Sequence, residues 1–404
     1  MNNPNSDSSN KEFICLMAAI MSLAALSIDT MLPALGQMTT DLNILDPNDS
    51  QLIISAVFLG MSLGLMLYGP LSDAYGRKKI IYLGISIYLI GTLISIFATD
   101  LSFMLIGRVI QGFGVASCRV VSLAMVRDKF HGPEMGKIMS LITVVFIIVP
   151  ALAPSIGQAI LLFAQWRLIF WFIFAYGVAS LMWLHYRQGE TLAKDKHLTF
   201  SLSTISAGIV ETLRHTQALG YTVSLGLIFG SFVAYLSTAQ QILQDQYMLG
   251  DLFSIYFGAL ALALGFASFA NSKLIAIFGM EKLSFYALIT ITFVSLIFYL
   301  YVFSNEGQLS LNLFLLYLTI AFFCLGLLFG NLNALALEPF GHIAGVATSV
   351  ISSIQTFFAV LVGGIIGQLY DGTVAPLIGG FLVCGVLTLT IFVSVRRPKV
   401  QKIN

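Results

Sequence analysis

Residues 68 to 80 read "YGPLSDAYGRKKI" and stand between two long apolar runs, 51 to 72 and 79 to 98. The runs are continuous rather than alternating, so they read as helices, and each is close to the ~20 apolar residues that cross a bilayer core. Only helices or closed barrels cross it with every backbone group paired. The stretch between them is therefore a tight turn at one membrane face. Gly69 lets two helices approach closely, Asp73 lies at the end of the second run, and Gly76 turns the chain. Arg77, Lys78 and Lys79 then suit an anionic lipid surface.

Working outward, the same pattern repeats along all 404 residues, of which 58% are hydrophobic and 10% charged. Soluble domains carry about 25% charged residues, so this is an integral membrane protein. Helical spans are expected at 13–35, 51–72, 79–98, 102–126, 138–161, 167–186, 219–242, 253–277, 283–303, 310–335, 345–369 and 375–395. The longest polar interruption, 187–217, falls after the sixth. The expected organisation is an N-terminal tail (1–12), a six-helix bundle (13–186), a linker (187–217), a second six-helix bundle (218–395) and a C-terminal tail (396–404). The polar first ten residues lack the basic region of a cleavable signal peptide, so the first run is read as a retained span.

Seventeen of the twenty lysines and arginines fall on one side of this arrangement, in the tails, the linker and the loops after spans 2, 4 and 8. The opposite loops carry acids, among them Asp41, Asp46, Asp49, Asp245, Asp251 and Asp371. Basic loops stay in the cytoplasm, so both termini and the linker are expected there. The net charge of +1 gives no sign of a nucleic-acid partner. Cys15, Cys118, Cys324 and Cys384 lie in apolar stretches without metal-ligand spacing and read as core.

The turn matches G-x-L-x-D-x-x-G-R-K at every fixed position: Gly69, Leu71, Asp73, Gly76, Arg77 and Lys78. With twelve spans split six and six, the chain resembles the major facilitator superfamily. The resemblance implies that Asp73 and Arg77 form a cytoplasmic latch, the acid meeting the positive N-terminal end of a helix in the other half near Gly345. The corresponding turn, "NSKLIAIFGMEKL", keeps Gly279 and Lys282 but has Ala276 and Met280 in place of the acid and arginine. In span 5, Pro150, Pro154 and Gly157 of "VPALAPSIGQ" resemble the antiporters' kink motif in part, with Ala153 and Gln158 replacing glycines. "LSIDTMLPALGQMTTDL" in span 1 is similar to a string of the bicyclomycin-resistance (Bcr/CflA-type) drug:proton antiporters, as are "GRVIQGFG", "WRLIFW" and "NALALEPFGHIAGVATS". Met31 and Gly36 depart from that branch's usual residues.

Three ionisable side chains lie well inside spans: Asp29, Arg108 and Arg119. A charge at bilayer depth costs about 2.5–3.5 kcal/mol even on the lenient insertion scale, which makes each a functional candidate. A carboxyl that moves between an apolar site and a cationic neighbour can load and release a proton, so Asp29 is the candidate for coupling. The alternative is a permanent Asp29–arginine pair that only ties two helices. Arg108, with Gln111, matches the family's R-x-x-Q-G-x-G motif, which implies that it relays the protonation change. Arg119 comes eleven residues later, about 20° off the same helix face and ~16.5 Å along, so both arginines are expected to point into one cavity. It lies outside the motif and suggests an anionic or zwitterionic substrate, such as a carboxylate metabolite or siderophore. Lining the inner vestibule is the competing role. From the first half, Asp29 and Gln111 are also candidate binding residues, and from the second Gln240, Gln241, Asn331, Asn333 and Gln355 are, these last being otherwise interhelical glue. No aromatic residue is singled out.

"GMSLG" at 60–64 matches a hydrolase elbow but lies in mid-helix, and no zinc-protease or ATP-binding motif is present. The sequence thus predicts an all-α transporter rather than an enzyme, located in a bacterial inner membrane. It is expected to act as a monomer, with lipid and a small molecule as partners and the proton as coupling ion in place of a cofactor. The expected activity is export of a drug or metabolite in exchange for protons, with proton-linked uptake or a non-transporting sensor as alternatives.

Overall fold

The computed structural model describes residues 4–193, 195, 197 and 202–396. The basic residues Lys194, Lys196, Arg397, Lys399 and Lys402, used above for orientation, lie outside that set. Fourteen α-helices run through the described residues. The first half holds α1 (Pro4–Asp29), α2 (Leu35–Asp41), α3 (Leu52–Tyr75), α4 (Arg77–Ile96), α5 (Leu101–Lys129), α6 (Gly132–Leu161) and α7 (Arg167–Arg187). A short helix in the linker, α8 (Leu202–Arg214), leads to α9 (Thr216–Gln240), α10 (Phe253–Phe278), α11 (Met280–Ser304), α12 (Leu311–Leu337), α13 (Ala344–Gln368) and α14 (Ala375–Val395). All but α2 and α8 are membrane-length, so the chain is a polytopic all-α membrane protein with six long helices in each half. Span limits agree with the sequence reading to within a few residues, except in spans 1 and 5. Helix α6 begins six residues before the expected 138, and the first span continues past 35 to Asp41.

That longer first span is a broken helix. Helix α1 stops at Asp29, a single 3-10 turn covers Leu32–Ala34, and α2 resumes at Leu35. Pro33, which has no N–H to offer the previous turn, sits in the break. Helix α6 packs on it so closely that a Cβ on Gly157 would stand 1.8 Å from the Thr30 carbonyl oxygen. Only glycine permits that approach.

The halves are related by pseudo-symmetry, visible in their turns. Gly76 ends α3 with φ 97° and Gly279 ends α10 with φ 74°, each between the second and third long helix of its half. Close helix contact inside the first half rests on small residues: a Cβ on Gly60 would meet the Val109 carbonyl at 2.0 Å, and one on Gly112 the Val57 carbonyl at 2.0 Å. Between halves, α3 lies along α13, and α6 along α10. One end of the bundle holds the α3–α4 turn and the linker, and is called the linker end below. The other holds the α2–α3 and α13–α14 connections and is called the loop end.

Candidate functional site

A cavity of about 620 Å³ lies between the two halves. Asp29, Pro150, Phe58, Tyr235, Phe257 and Phe322 line it at mid-depth, and the walls continue past Phe229, Phe329, Gln355 and Arg119 to Asp73, Arg77, Arg127 and Gly345 at the linker end. Most of the wall is apolar, so each polar group in it stands out.

Asp29 is the most buried of the charged residues in this wall. Its residue is 5% exposed, and its carboxyl makes no hydrogen bond or ion pair among the described residues. The permanent Asp29–arginine tie is therefore not formed in this state. Arg108 instead serves the helix that carries Asp29. Its Nη2 donates to the Ser27 carbonyl at 2.9 Å, its Nε to the Ile53 carbonyl at 3.2 Å and its Nη1 to Gln111 Oε1 at 2.5 Å. The guanidinium lies 5.5 Å from the Phe170 ring centroid. Ser27 is in the last turn of α1, where carbonyls have no partner within the helix, so a buried cation caps the broken end next to Asp29.

The expectation that Arg108 and Arg119 share one cavity is corrected here. Arg108 is fully buried and absent from the lining, because its stem turns toward α1 and α3, where the unpaired carbonyl of Ser27 and the carbonyl of Ile53 hold it. Arg119 does line the cavity, much nearer the linker end. The neighbouring Val120 reaches the position a Cβ on Gly69 would take, at 3.8 Å.

The other expected binding residues divide in the same way. Asn333 and Gln355 line the cavity. Gln111 does not, since its amide donates to Thr92 Oγ1 at 2.8 Å within the first half. Asn331 is occupied by a reciprocal pair of bonds with Asn271, 3.0 and 3.1 Å. Gln240 reaches back to Asp245 at 3.1 Å. Gln241 joins a set of bonds that crosses between halves at the loop end.

That set closes the loop end. Gln51 Nε2 donates to Gln241 Oε1 at 2.6 Å, and Gln241 Nε2 to Asn48 Oδ1 at 3.1 Å. Asn48 Nδ2 donates to the carbonyls of Gln368 and Tyr370, and Gln368 Nε2 returns a bond to the Asn48 carbonyl at 2.9 Å. A π-helical turn over Gln241–Gln246 lets Gln241 face this seam. On the opposite seam, Gln158 Nε2 donates to Asp251 Oδ1 at 2.6 Å and Ser254 Oγ to the Pro154 carbonyl at 3.1 Å. Pro154 leaves no ring N–H, but its carbonyl is what the second half grips.

At the linker end the motif residues are ordered within the first half. Arg77 bonds Asp73 Oδ1 at 2.5 Å, Asp128 Oδ2 at 2.9 Å and Ser72 Oγ at 2.7 Å. Asp73 makes no bond to the start of α13, so the cross-half latch is not engaged, although Asp73 and Gly345 both face the cavity. Gly69 lies against α13, where a Cβ would meet Ser349 Oγ at 2.5 Å. Lys78 Nζ donates to the His185 carbonyl at 3.1 Å. Sequence reasoning missed Glu190 of the linker, whose carboxylate accepts from the backbone N–H of Arg77 and Lys78 at 3.0 Å each and so caps α4. An isolated linker glutamate carries no pattern that could have shown this.

Two six-helix halves around a central cavity, pinned shut at one end, define the class of secondary transporters. Residues 16–364 match the family model of the Major Facilitator Superfamily, and the chain belongs to that superfamily. Its members are transport proteins rather than enzymes. The Haemophilus influenzae bicyclomycin resistance protein homolog is 28% identical over 95% of this chain and 96% of its own. The Citrobacter koseri multidrug resistance protein MdtL is 29% identical over 96% and 97%. In fold the chain is similar to a D-xylose-proton symporter, with TM-score 0.74 at 14% identity over 95% of this chain and 97% of that one. This protein is thus a multi-pass membrane transporter of a small molecule that works by alternating access of a site between its halves.

Proposed function

We propose that the protein is a proton-coupled antiporter that exports a small, largely apolar organic molecule, and that Asp29 carries the coupling proton. The single observation behind this is Asp29 itself: a carboxyl without a partner, at a helix break, facing the cavity at mid-depth. A membrane-buried carboxyl is costly as a fixed structural feature and useful as a site whose occupancy by a proton or a substrate changes its environment. Arg108, which holds the carbonyl two residues earlier, positions that break. The similarity to proteins named for bicyclomycin and multidrug resistance supports membership of the Bcr/CflA-type branch and the export direction. In this reading the linker end is cytoplasmic, as the basic loops require, and the site faces the cytoplasm of a bacterial cell across its inner membrane. The bundle limits (13–186 and 218–395), the cytoplasmic linker and tails, and a monomeric unit belong to the same proposal.

The anionic-substrate expectation attached to Arg119 is weakened by its position. A molecule held at mid-depth meets a carboxylate and aromatic rings first, which favour a neutral or cationic group, whereas Arg119 acts on molecules passing through the wider mouth. Uptake coupled to protons is the second reading, favoured by the proton symporter among the proteins of similar fold. Purified protein in liposomes with an imposed proton gradient separates the two by the direction of substrate movement. Asp29→Asn should abolish gradient-driven movement in either direction, and retained coupling in that variant would defeat the role of Asp29.

A further inference from the structure

The aromatic residues that sequence reasoning passed over form a box around one further polar group. Tyr235 of α9 is 1% exposed, and its hydroxyl has no hydrogen-bond partner among the described residues. Its ring is fixed on three sides: stacked on Phe257 at 5.7 Å, stacked on Phe232 at 6.5 Å and edge-on to Phe322 at 4.9 Å between centroids. Tyr235 lines the same cavity as Asp29. The two residues come from opposite halves, α1 and α9.

A buried tyrosine hydroxyl normally finds a partner, and leaving one without costs about 1–3 kcal/mol. If the position required only packing, phenylalanine would fill it, as it fills Phe229, Phe232, Phe257, Phe322 and Phe329 around it. Two unpartnered polar residues, one from each half, in the wall of one apolar cavity are of the kind that sets orientation in a mostly apolar binding site.

We propose that Tyr235 is a specificity-determining residue: with Asp29 it forms a two-point clasp spanning the halves, and its hydroxyl selects molecules that carry a hydrogen-bonding group on an aromatic or lipophilic body. The rest of the box supplies affinity without direction. Because one member of the clasp sits on each half, a bound molecule links the two bodies that rock, and the preference for it is tied to the transport cycle. The proposal rests on the cavity being the transport site, but binding at equilibrium requires neither a gradient nor a direction. Loss of coupled transport with the binding pattern intact would therefore break the proposed function and leave Tyr235's role standing.

The test uses the full-length protein in lipid nanodiscs and two cationic probes: ethidium, whose ring amines can hydrogen-bond, and tetraphenylphosphonium, which cannot. Tyr235→Phe should weaken ethidium binding roughly five- to tenfold, the contribution of one hydrogen bond, and leave tetraphenylphosphonium unchanged. Tyr235→His, which keeps a hydrogen-bonding ring, should recover part of the ethidium preference. Equal losses for both probes, no loss for either, or failure of the wild-type protein to bind either probe would overturn the proposal. The unfolding temperature of each variant separates a lost contact from a lost fold, since a misfolded variant loses both probes together and the histidine variant then decides.

Discussion

The two ends of the bundle are closed and opened by different chemistry. At the loop end, uncharged amides of Asn48, Gln51, Gln241 and Gln368 bond across the halves. At the linker end, charged groups are satisfied inside one half, where Arg77 binds Asp73 and Asp128 while Glu190 caps α4. Neutral amide bonds are each worth about 1 kcal/mol net, so a set of them makes a gate that holds and yet can part. A charge cluster already satisfied at home can swing as a rigid unit without exposing unpaired charge. In the proposed cycle, alternation exchanges a few amide bonds at one end for the engagement of Asp73 with the N-terminus of α13 at the other.

The largest expected effect probes what both gates serve. Asp29→Asn should reduce proton-driven transport to background, a loss of at least ~100-fold or about 2.7 kcal/mol, in liposomes that retain the protein at wild-type levels. Next comes the loop end. Asn48→Ala removes its amide's bonds to both seam carbonyls and to Gln51 and Gln241, and should shift the population toward an open loop end by about tenfold or more. Labelling rates of a single cysteine placed at that seam would report it. At the linker end, Asp73→Asn should slow turnover about tenfold, or ~1.4 kcal/mol, with substrate affinity kept. A selective loss of affinity would show that Asp73 does not act as a gate.

Much of this division was legible in the sequence, and the unread parts have physical reasons. Hydropathy marks where helices cross because the bilayer imposes length and apolarity on each span separately, and the turn from Gly69 to Lys78 is local. The break after Asp29 was signalled only by Pro33, since the chain on either side stays apolar. Gln241 and Arg119 could be placed on helix faces, but which polar side chain meets the cavity and which meets another helix depends on packing between halves. Arg108 shows the difference most clearly: its helix face agrees with that of Arg119, yet its long stem carries the charge away to the carbonyls of Ser27 and Ile53. The aromatic box was invisible because phenylalanine is abundant in every apolar span.

Smaller effects sharpen the comparison further. Glu190→Ala should lower stability by about 1 kcal/mol, the usual loss for a helix cap, seen as a modest fall in unfolding temperature without a change in probe binding. If it instead altered the balance between open ends, the linker would be part of the gate. Arg119→Ala should change transport rates of anionic molecules a few-fold, as expected of a partly buried charge in the cavity wall toward the linker end. Loss of equilibrium affinity for cationic probes would move Arg119 into the binding site proper.

The exchange between ends can be measured directly by paired spin labels on a background lacking the four native cysteines. Leu45→Cys with Leu369→Cys spans the loop end, and Lys79→Cys with Gly341→Cys spans the linker end. On introducing Asn48→Ala, the loop-end distance should lengthen while the linker-end distance shortens, in equal proportions of molecules. Lengthening at the loop end with no shortening at the linker end would contradict alternating gates and leave a bundle that merely loosens.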